Sequence, residues 1–372
     1  MRRELERVEV PDAEAARERA RDVVLAAYAE REVVPVRRRP LRLVAACAVL
    51  AVAAVAGAAL SPPGEAVVDR IREVIGVERA QPALFRLPTG GRLLVASDAG
   101  VWVVEQDGKK RLLPGYREAS WSPFGRFVVA TKANELAALE RDGDVRWTLA
   151  RGNVRSPRWT GSESDTRIAY LDRSGIRIVA GDGTGDRGLS PEVAPIAWRP
   201  GAGYVLGQLQ ASELRLQDAT TGRVISRARA GLATEVLGFS WAPNGERALV
   251  VHPWELTVVD PERNTSRPIS FAAADVVGAA FSPTGTTIAV LRANELVLLD
   301  PAHPRVRTRV FAGEGPFQGV AWSPDGRWLL IGWPAADQWV FVRADGGSIR
   351  AVGNVSEQFR SRTFPRSDGW CC

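Results

Sequence analysis

The feature that most constrains the fold is a short pattern that returns about every forty residues. It consists of an aromatic residue, a turn of the Ser-Pro-x-Gly type and a run of apolar residues, as in VAWSPDGRWLL from Val320 to Leu330. The aromatic residues are 38 to 43 positions apart and are Trp121, Trp159, Trp198, Trp241, Phe281 and Trp322. Such a regular period predicts a chain built from repeated structural units.

Each unit has the same order of segments. After the turn come two β-rich runs separated by a short polar break, and then a second turn rich in Asp and Gly, as in WSPFGRFVVATKANELAALERDGD. Pro and Gly supply the backbone angles of tight turns, whereas Val, Ile and Leu favour strands, so each unit is predicted to be a four-stranded antiparallel meander. The turn residues of the motif are Pro123, Gly125, Pro200, Pro243, Gly245, Pro283, Gly285, Pro324, Asp325 and Gly326.

A further unit fits upstream of Trp121. Counting 34 residues back reaches Leu87, in LPTGGRLLVASDAGVWVVEQDG, which has the turn and both apolar runs but no aromatic residue. Seven units then extend from about Ala83 to Val355. Because one blade cannot bury both of its faces alone, such repeats close into a ring. We therefore predict an all-β fold, a seven-bladed β-propeller of four-stranded antiparallel blades, preceded by an N-terminal helix and one transmembrane helix.

The last residues of the sequence repeat part of the pattern. Phe364 follows Trp322 by 42 residues and opens FPRSDGW, which resembles the first strand and turn of an unfinished blade. We expect Phe364, Pro365 and Gly369 to close the ring by pairing with the first blade, because this would remove two open sheet edges. The alternative is that the tail packs beneath the ring. Cys371 and Cys372 can pair with each other, bridge to a second molecule or stay free.

The segments WSPDGRWLLIG and FSPTGTTIAVL resemble the WD-repeat-like units of TolB-type β-propellers, and the resemblance covers about 270 residues. The Trp-Asp dipeptide and Gly-His pair of the eukaryotic WD repeat are missing, which favours a bacterial exported propeller. The resemblance implies the fold and leaves the function open, since the same scaffold has many unrelated roles.

Residues 43–60 form an 18-residue stretch without charge or proline, LVAACAVLAVAAVAGAAL. As a helix it is about 27 Å long at 1.5 Å per residue, close to the roughly 30 Å apolar core of a bilayer. Four arginines crowd its N-terminal side, and positive residues stay inside, so residues 1–42 are expected in the cytoplasm and the chain after Ser61 outside it. This predicts a single-pass protein of a bacterial plasma membrane, with the lipid bilayer as partner of residues 43–60.

Two other interpretations of this stretch stay open. Val44-Ala45-Ala46-Cys47 fits a lipoprotein cleavage box, although few apolar residues precede the cysteine. Ala56-Gly57-Ala58 fits the cleavage site of a secretory signal peptide, although the charged leader is long for one. In both cases the large domain still leaves the cytoplasm.

The segments on either side of the span are short. Residues 1–42 form a head in which residues 11–32 are predicted to form an amphipathic helix that needs a cytoplasmic partner or rests near the lipid headgroups. Residues 61–82 form a juxtamembrane stalk, and residues 83–372 form the propeller with its C-terminal closing strand. The layout is also similar to that of membrane-bound anti-sigma factors, but the head contains neither His nor Cys, so the zinc-type signature of those regulators is missing.

The residue types needed for most catalysis are scarce. The chain has two histidines, His252 and His303, in different units and without a nucleophile motif such as GxSxG. Its three cysteines cannot form a disulfide framework or a CxxC metal site. GDGTGDRG, residues 181–188, lacks the Lys-Ser/Thr of a phosphate loop and the terminal Glu of an EF-hand, so we interpret it as a hairpin loop. The net charge is +6, but the only dense basic run is at residues 37–42 and no stacking motif accompanies it, which argues against a nucleic-acid partner.

These patterns predict no catalytic, cofactor-binding or metal-binding residue. The function that they favour is a non-enzymatic, membrane-anchored extracytoplasmic propeller that serves as a binding, sensing or protein-interaction module for an extracytoplasmic protein or ligand. A first alternative is a transmembrane regulator whose cytoplasmic head sequesters a sigma factor. A second is an exported hydrolase that uses propeller carboxylates or a bound metal.

Overall fold

The computed structural model describes residues 80–81, 86–162, 164–191, 194–231 and 235–372. They belong to a compact unit, Ala66–Cys372. The predicted head helix (11–32), the predicted span (43–60) and the stalk up to residue 79 lie outside the described residues. Within the described ranges, no helix combines the length and the apolar character that a membrane crossing requires.

The described residues form seven sheets, and each sheet contains the four antiparallel strands of one blade. This confirms the predicted seven-bladed propeller. Blade 1 contains β2 (Arg92–Ser97), β3 (Gly100–Val104), β4 (Lys110–Pro114) and β29 (Arg366–Cys371). Blade 2 contains β5 (Glu118–Trp121), β6 (Phe127–Lys132), β7 (Glu135–Glu140) and β8 (Val145–Ala150). Blade 3 contains β9 (Arg155–Gly161), β10 (Thr166–Asp172), β11 (Gly175–Ala180) and β12 (Arg187–Ser190), and blade 4 contains β13 (Ile196–Trp198), β14 (Val205–Gln210), β15 (Glu213–Asp218) and β16 (Val224–Arg229).

Blades 5 to 7 continue in the same way. Their strands are β17 (Gly238–Trp241), β18 (Ala248–Val251), β19 (Glu255–Asp260) and β20 (Thr265–Ser270); β21 (Val276–Phe281), β22 (Ile288–Arg292), β23 (Glu295–Leu299) and β24 (Arg307–Ala312); β25 (Gln318–Trp322), β26 (Trp328–Trp333), β27 (Gln338–Arg343) and β28 (Ile349–Val352), with β1 (Ala80–Gln81) as a fifth strand. A 3-10 turn (Pro334–Ala336) and a short helix α1 (Val355–Gln358) complete the elements.

The burial of each strand follows its place in the blade. The middle strands are apolar on both faces, as in β6 and β7, where the four central residues of each strand are buried. The outermost strand β8 instead alternates between exposed and half-buried residues. This difference arises because the neighbouring blades cover both faces of the middle strands, and it places the core between blades. One such cluster joins Leu94 and Val101 of blade 1 to Trp121 and Val128 of blade 2.

The first strands form a closed ring. In chain order β5, β9, β13, β17, β21 and β25 each contact the next, and β29 contacts both β25 and β5. β29 is therefore the first strand of blade 1, where it pairs antiparallel with β2. This pairing leaves no first strand without a neighbour on either side.

The structure assigns the aromatic position of blade 1 to Trp370. Trp370 lies opposite Leu93, as Trp121 lies opposite Val128 and Trp322 lies opposite Leu329. The forty-residue spacing instead predicts Phe364 at this position. The spacing fails here because α1 and its flanking turns lengthen the connection between blades 7 and 1. Phe364 packs on the cluster between these two blades.

The same register moves the alignment of the first unit by one residue. With Leu93 at the position of Val128, Leu87 corresponds to Ser122 rather than to Trp121. The turn Pro88-Thr89-Gly90 then matches Pro123-Phe124-Gly125. Blade 1 thus takes its turn from the N-terminal side of the domain and its aromatic residue from the C-terminal side.

β1 lies within the range predicted as stalk. It pairs in parallel with β28, with Ala80 opposite Ala351 and Gln81 opposite Val352. It therefore covers the outer edge of blade 7 by backbone pairing, which is one way in which proteins protect an open edge.

Three of the aromatic residues also link consecutive blades through their indole N–H groups. Trp198 donates to the carbonyl of Arg158 (2.8 Å), Trp241 to that of Ala197 (3.2 Å) and Trp322 to that of Ala280 (3.1 Å). Each acceptor directly precedes the aromatic residue of the preceding blade. The motif therefore supplies a hydrogen bond between blades in addition to packing.

We expect Trp322→Phe to lower the free energy of unfolding more than Trp121→Phe. The two residues are equally buried, at 8% and 9% exposure, but the buried Trp121 Nε1 has no acceptor among the described residues. The difference between the variants should be about 1 kcal/mol, the net contribution of one hydrogen bond. Urea unfolding of both variants measures it, and equal losses would show that the indole hydrogen bond contributes nothing.

Candidate binding groove between blades 2 and 3

The predicted motif residues lie at the turn between the first and second strand of their blades, where they hold neighbouring blades together. Gly245 has a φ of +69°, and a Cβ there would overlap the carbonyl oxygen of Pro200 in the preceding blade. Asp325 accepts hydrogen bonds from Ser323 Oγ within its turn and from Thr89 Oγ1 of blade 1, both at 2.6 Å. These contacts give the motif a structural role.

The C-terminal cysteines lie beside the same turn of blade 2. The structure joins Cys371 and Cys372 in a disulfide between adjacent residues, the first of the three alternatives considered. Both sulfur atoms lie close to the position that a Cβ on Gly125 would take.

Blade 3 departs from the motif, and a groove opens at this point. After Trp159 it has Thr160-Gly161-Ser162 in place of Ser-Pro-x-Gly. The groove lies between blades 2 and 3 and has a volume of about 710 Å³. Its walls come from the start of β6, the start of β8, the turn before β10 and the hairpin loop between β11 and β12.

Three aromatic side chains line the groove. The rings of Phe127 and Trp159 stack across the blade boundary, with centroids 6.3 Å apart and an interplanar angle of 16°. Trp147 projects from the outermost strand of blade 2 and donates its indole N–H to the carbonyl of Gly181 in blade 3, at 2.9 Å. This bond fixes the indole as part of the wall.

The loop GDGTGDRG supplies the opposite side of the groove. It connects β11 to β12 as a hairpin loop, as expected from its sequence. Gly183 has a φ of +87°, and a Cβ there would lie 2.8 Å from the Trp147 ring, so only glycine lets the loop approach this closely. Asp182 accepts hydrogen bonds from Thr184 Oγ1 (2.7 Å) and its N–H (2.9 Å), which lower the pKa of Asp182. The loop is therefore organised by its own side chains, and no group of metal-ligating residues was found in the described part of the chain.

Two arginines, Arg146 and Arg167, line the groove, and Arg126 lies beside it. Arg126 and Arg146 lie 5.1 and 5.7 Å from the centroid of the Phe127 ring, and Arg146 also pairs with Glu140 at 3.1 Å. Arg167 lies 4.8 Å from the centroid of the Tyr204 ring and pairs with Asp165. At the rim, Val145 is 53% exposed. Flat apolar surfaces next to charged hydrogen-bond donors suit a peptide segment that carries both apolar and acidic side chains.

A polar cluster within the two blades supports the groove. Asp186 accepts hydrogen bonds from Tyr170 Oη (2.6 Å) and Arg177 Nη2 (2.6 Å) of its own blade and from Arg151, which follows β8 of blade 2. Burial opposes the ionisation of Asp186, but these hydrogen bonds outweigh it and hold the pKa of Asp186 below its ordinary value. The hydrogen bond to Asp186 raises the pKa of Arg177, and burial raises the pKa of Tyr170. The cluster fixes blade 2 against blade 3 by charge-assisted bonds.

The two histidines stay in separate structural settings. His252 is fully buried after β18, with Nδ1 2.9 Å from the Glu235 carbonyl oxygen. His303 lies in the turn before β24, with Nδ1 2.9 Å from a carboxylate oxygen of Asp300. The structure thus places them in blades 5 and 6, neither at the groove.

Of the groove residues, only Trp159 was among the predicted residues, and it was predicted as a member of the repeat motif rather than as part of a binding site. Trp147 was the residue that could have indicated the groove, since it is a large aromatic residue on a strand whose other positions are mostly exposed. The missing Pro-x-Gly after Trp159 marks the same place.

Comparisons with known proteins bear on the fold. No protein-family model matches the chain, and no curated protein matches it. Solved structures that are similar include one described as the crystal structure of the mitotic checkpoint complex (18% identity, 72% of this chain, 91% of that chain, TM-score 0.56) and the WD40 domain of Neurospora crassa Pan2 (12% identity, 71% of this chain, 90% of that chain, TM-score 0.56). A third is hydrazine synthase of Kuenenia stuttgartiensis (14% identity, 63% of this chain, 78% of that chain, TM-score 0.51). At these identities the comparisons show a seven-bladed β-propeller with WD40-like structural neighbours.

Proposed function

We propose that the protein is a non-enzymatic interaction module that binds an extended segment of a partner protein in the groove between blades 2 and 3. The observation that carries this proposal is the groove itself, in which stacked aromatic rings, guanidinium groups and an exposed apolar rim lie together beside the turn of blade 3, a turn that has no proline. WD40-like neighbours are consistent with protein binding in general.

The backbone of β8 supports the choice of an extended segment. Among the described strands β8 pairs with β7 alone, so its other edge carries backbone groups without a partner in that part of the chain. It contains no proline, unlike β20, which includes Pro268, and no described strand covers it as β1 covers β28. A peptide that adds to such an edge gains main-chain hydrogen bonds, while neighbouring pockets select its side chains. Arg146 and Trp147 are adjacent on this strand and both line the groove, so both lie close to a peptide added at this edge.

We further propose that residues 43–60 anchor the protein in a bacterial plasma membrane and that the propeller meets its partner outside the cytoplasm, as a binding or sensing surface. The support is the charge-free length of this stretch and the arginine cluster on its N-terminal side. In this arrangement residues 11–32 remain available to a cytoplasmic partner.

A site-specific photocrosslinker tests the groove. We expect a crosslinking residue at position 145 to give a discrete adduct in intact cells, and the same residue at position 225 to give none. Val145 and Ile225 are matched controls, since both lie near the start of an outermost strand and are 53% and 47% exposed. Arg146→Glu should reduce the adduct at position 145, because it reverses the charge beside Phe127. Equal adducts at both positions, insensitive to Arg146→Glu, would contradict the proposed groove.

Reporter fusions test the anchoring. Alkaline phosphatase should be inactive when fused after residue 40 and active when fused after residue 82, because it folds only outside the cytoplasm, and a fluorescent protein should give the opposite result. Phosphatase activity at neither site would reject the proposed topology while leaving the groove untouched.

A further inference from the structure

The Cys371–Cys372 disulfide takes the place that a proline has at other blade junctions. Two positions after its aromatic residue, each of blades 4, 5 and 6 has a proline that lies against the turn glycine of the next blade, in the pairs Pro200–Gly245, Pro243–Gly285 and Pro283–Gly326. In blade 1 the residue two positions after Trp370 is Cys372. Its Sγ lies 2.8 Å from the position that a Cβ on Gly125 of blade 2 would take. The disulfide therefore stands at the junction of blades 1 and 2, where the repeat has proline.

The stability of the fold does not explain this bond. In the chain-entropy account, a disulfide stabilises a protein by closing a loop in the unfolded chain, and the effect grows with the length of that loop. Cys371 and Cys372 are neighbours, so their bond closes no loop. Backbone pairing with Arg92 holds Cys371 in β29 whether or not the bond is present. The bond can therefore open and form again while the ring stays closed, as a reversible redox site requires.

The two sulfur atoms differ in access. Cys372 is exposed, whereas Cys371 is half-buried and packs on the cluster between blades 1 and 2 that contains Leu94 and Trp121. In thiol–disulfide exchange a thiolate must reach one sulfur atom, and the other sulfur atom leaves with the electrons of the broken bond. The structure makes Cys372 the sulfur that a small thiol reaches and Cys371 the leaving sulfur.

An open cavity of about 510 Å³ adjoins Cys372, and this volume is within the range of small-molecule sites, roughly 300–1,000 Å³. The cavity lies between the start of β2 and the hairpin that joins β3 to β4. Its charged side chains are three cations and two carboxylates, Arg86, Arg92, Lys109, Glu105 and Asp107. Arg92 pairs with Glu105 at 2.7 Å, and Lys109 pairs with Asp107 at 2.9 Å. Charges of both signs with an excess of cations suit a small ligand that carries an ammonium group and carboxylates.

We propose that the Cys371–Cys372 disulfide is a site of thiol–disulfide exchange for a low-molecular-weight thiol that carries carboxylate and ammonium groups and enters through this cavity. The thiolate of the small molecule forms a bond to Cys372 Sγ while the bond between the two cysteines breaks. The electron pair leaves on Cys371 Sγ, which then takes a proton from water. A second molecule of the thiol attacks the mixed disulfide, so that two small thiols are oxidised to their disulfide and both cysteines are reduced.

The test uses the full chain with Cys47→Ser, which removes the only other cysteine. Protein prepared without reductant is treated with glutathione, quenched with N-ethylmaleimide and mapped by mass spectrometry. We expect glutathione on Cys372 and maleimide on Cys371, with the near-ultraviolet circular dichroism unchanged. With oxidised glutathione, Cys371→Ser should form a mixed disulfide at least several-fold faster than Cys372→Ser, because its remaining cysteine is the exposed one.

Two charge variants test the part played by the cavity. Lys109→Glu should slow the reaction with glutathione several-fold relative to the reaction with uncharged 2-mercaptoethanol. Arg305→Glu makes the same change of charge at an exposed position in the turn between β23 and β24 of blade 6 and should leave this ratio unchanged.

Four results would overturn the proposal. They are maleimide on both cysteines before any thiol is added, glutathione on Cys371 instead of Cys372, reduction that occurs only with loss of the near-ultraviolet signal, and equal ratios in Lys109→Glu and Arg305→Glu. The mapping needs neither charge variant, so it decides even if one of them fails to fold. Crosslinking at position 145 reports on the groove alone, so the exchange site and the groove fail independently.

Discussion

A chain that ends at Phe364 is expected to lose the folded propeller. It lacks β29, which supplies the first strand of blade 1 and the only aromatic residue at that blade's anchor position, Trp370. Trp370 packs edge-on against Phe341 of blade 7, with centroids 5.7 Å apart. Removal of a packed Trp alone costs about 3–5 kcal/mol, and a domain is stable by about 5–15 kcal/mol in total. Near-ultraviolet circular dichroism should show the loss of fixed aromatic packing, and urea unfolding should no longer be cooperative.

A smaller deletion provides the control. Cys372 is exposed and lies outside β29, so its removal breaks the disulfide to Cys371, which closes no loop between distant residues, and leaves every backbone pair between β29 and β2 in place. That variant should unfold within about 0.5 kcal/mol of the complete chain, the usual range for surface changes. A chain ending at Phe364 that retained cooperative unfolding would show that the ring does not need its seventh first strand.

The second large effect concerns Asp186→Asn. This change leaves Arg151, Arg177 and Tyr170 without the carboxylate that they share, and Asp186 is only 7% exposed. Breaking a buried charge pair by removing one partner costs about 3–5 kcal/mol, and the partial exposure of Arg151 places the expected loss near the lower end of that range. Asp182→Asn is the matched control in the same loop, because Asp182 is exposed and bonds only within its own turn to Thr184. Its effect should stay within about 0.5 kcal/mol.

Acidity should remove the difference between the protein and Asp186→Asn. The folded-state pKa of Asp186 lies below its ordinary value of 3.8, so its contribution to stability is present above that value and is lost as the pH falls through the folded-state pKa. Urea unfolding at neutral pH and in stepwise more acidic buffers should therefore give free-energy curves that converge in acid. Parallel curves over this range would mean that Asp186 stabilises the protein without being ionised.

Much of the fold can be predicted from the sequence because the turn and the packing between blades require similar residues at similar positions in successive units. Residues such as Trp241 and Gly245 recur in most blades, since most blades need the same turn and pack an aromatic residue against the preceding blade. The repeat period does not predict the position of Trp370. That position depends on the length of the connection through α1, and a fixed period carries no information on that length. The register of Leu93 with Trp370 comes from pairing between residues far apart in sequence.

The groove could not be predicted from spacing because its residues belong to different blades. Phe127 and Trp159 are 32 positions apart in the sequence and belong to neighbouring blades, and only the stacking of blades brings their rings together. Such sites follow from three-dimensional packing, whereas the motif follows from the geometry of one turn.

The division of blade 1 between distant parts of the chain also fixes the order in which the domain can be completed during synthesis. Trp370 donates its indole N–H to the carbonyl of Gly90, 280 residues earlier. All strands of blades 2 to 7 are translated before β29. Until β29 is translated, the β2 edge of blade 1 has no partner strand. Contacts of such long sequence separation form late and slowly. A growing chain therefore exposes one sheet edge until β29 has been translated, and capture by a chaperone or by another unfinished copy would matter most in this period.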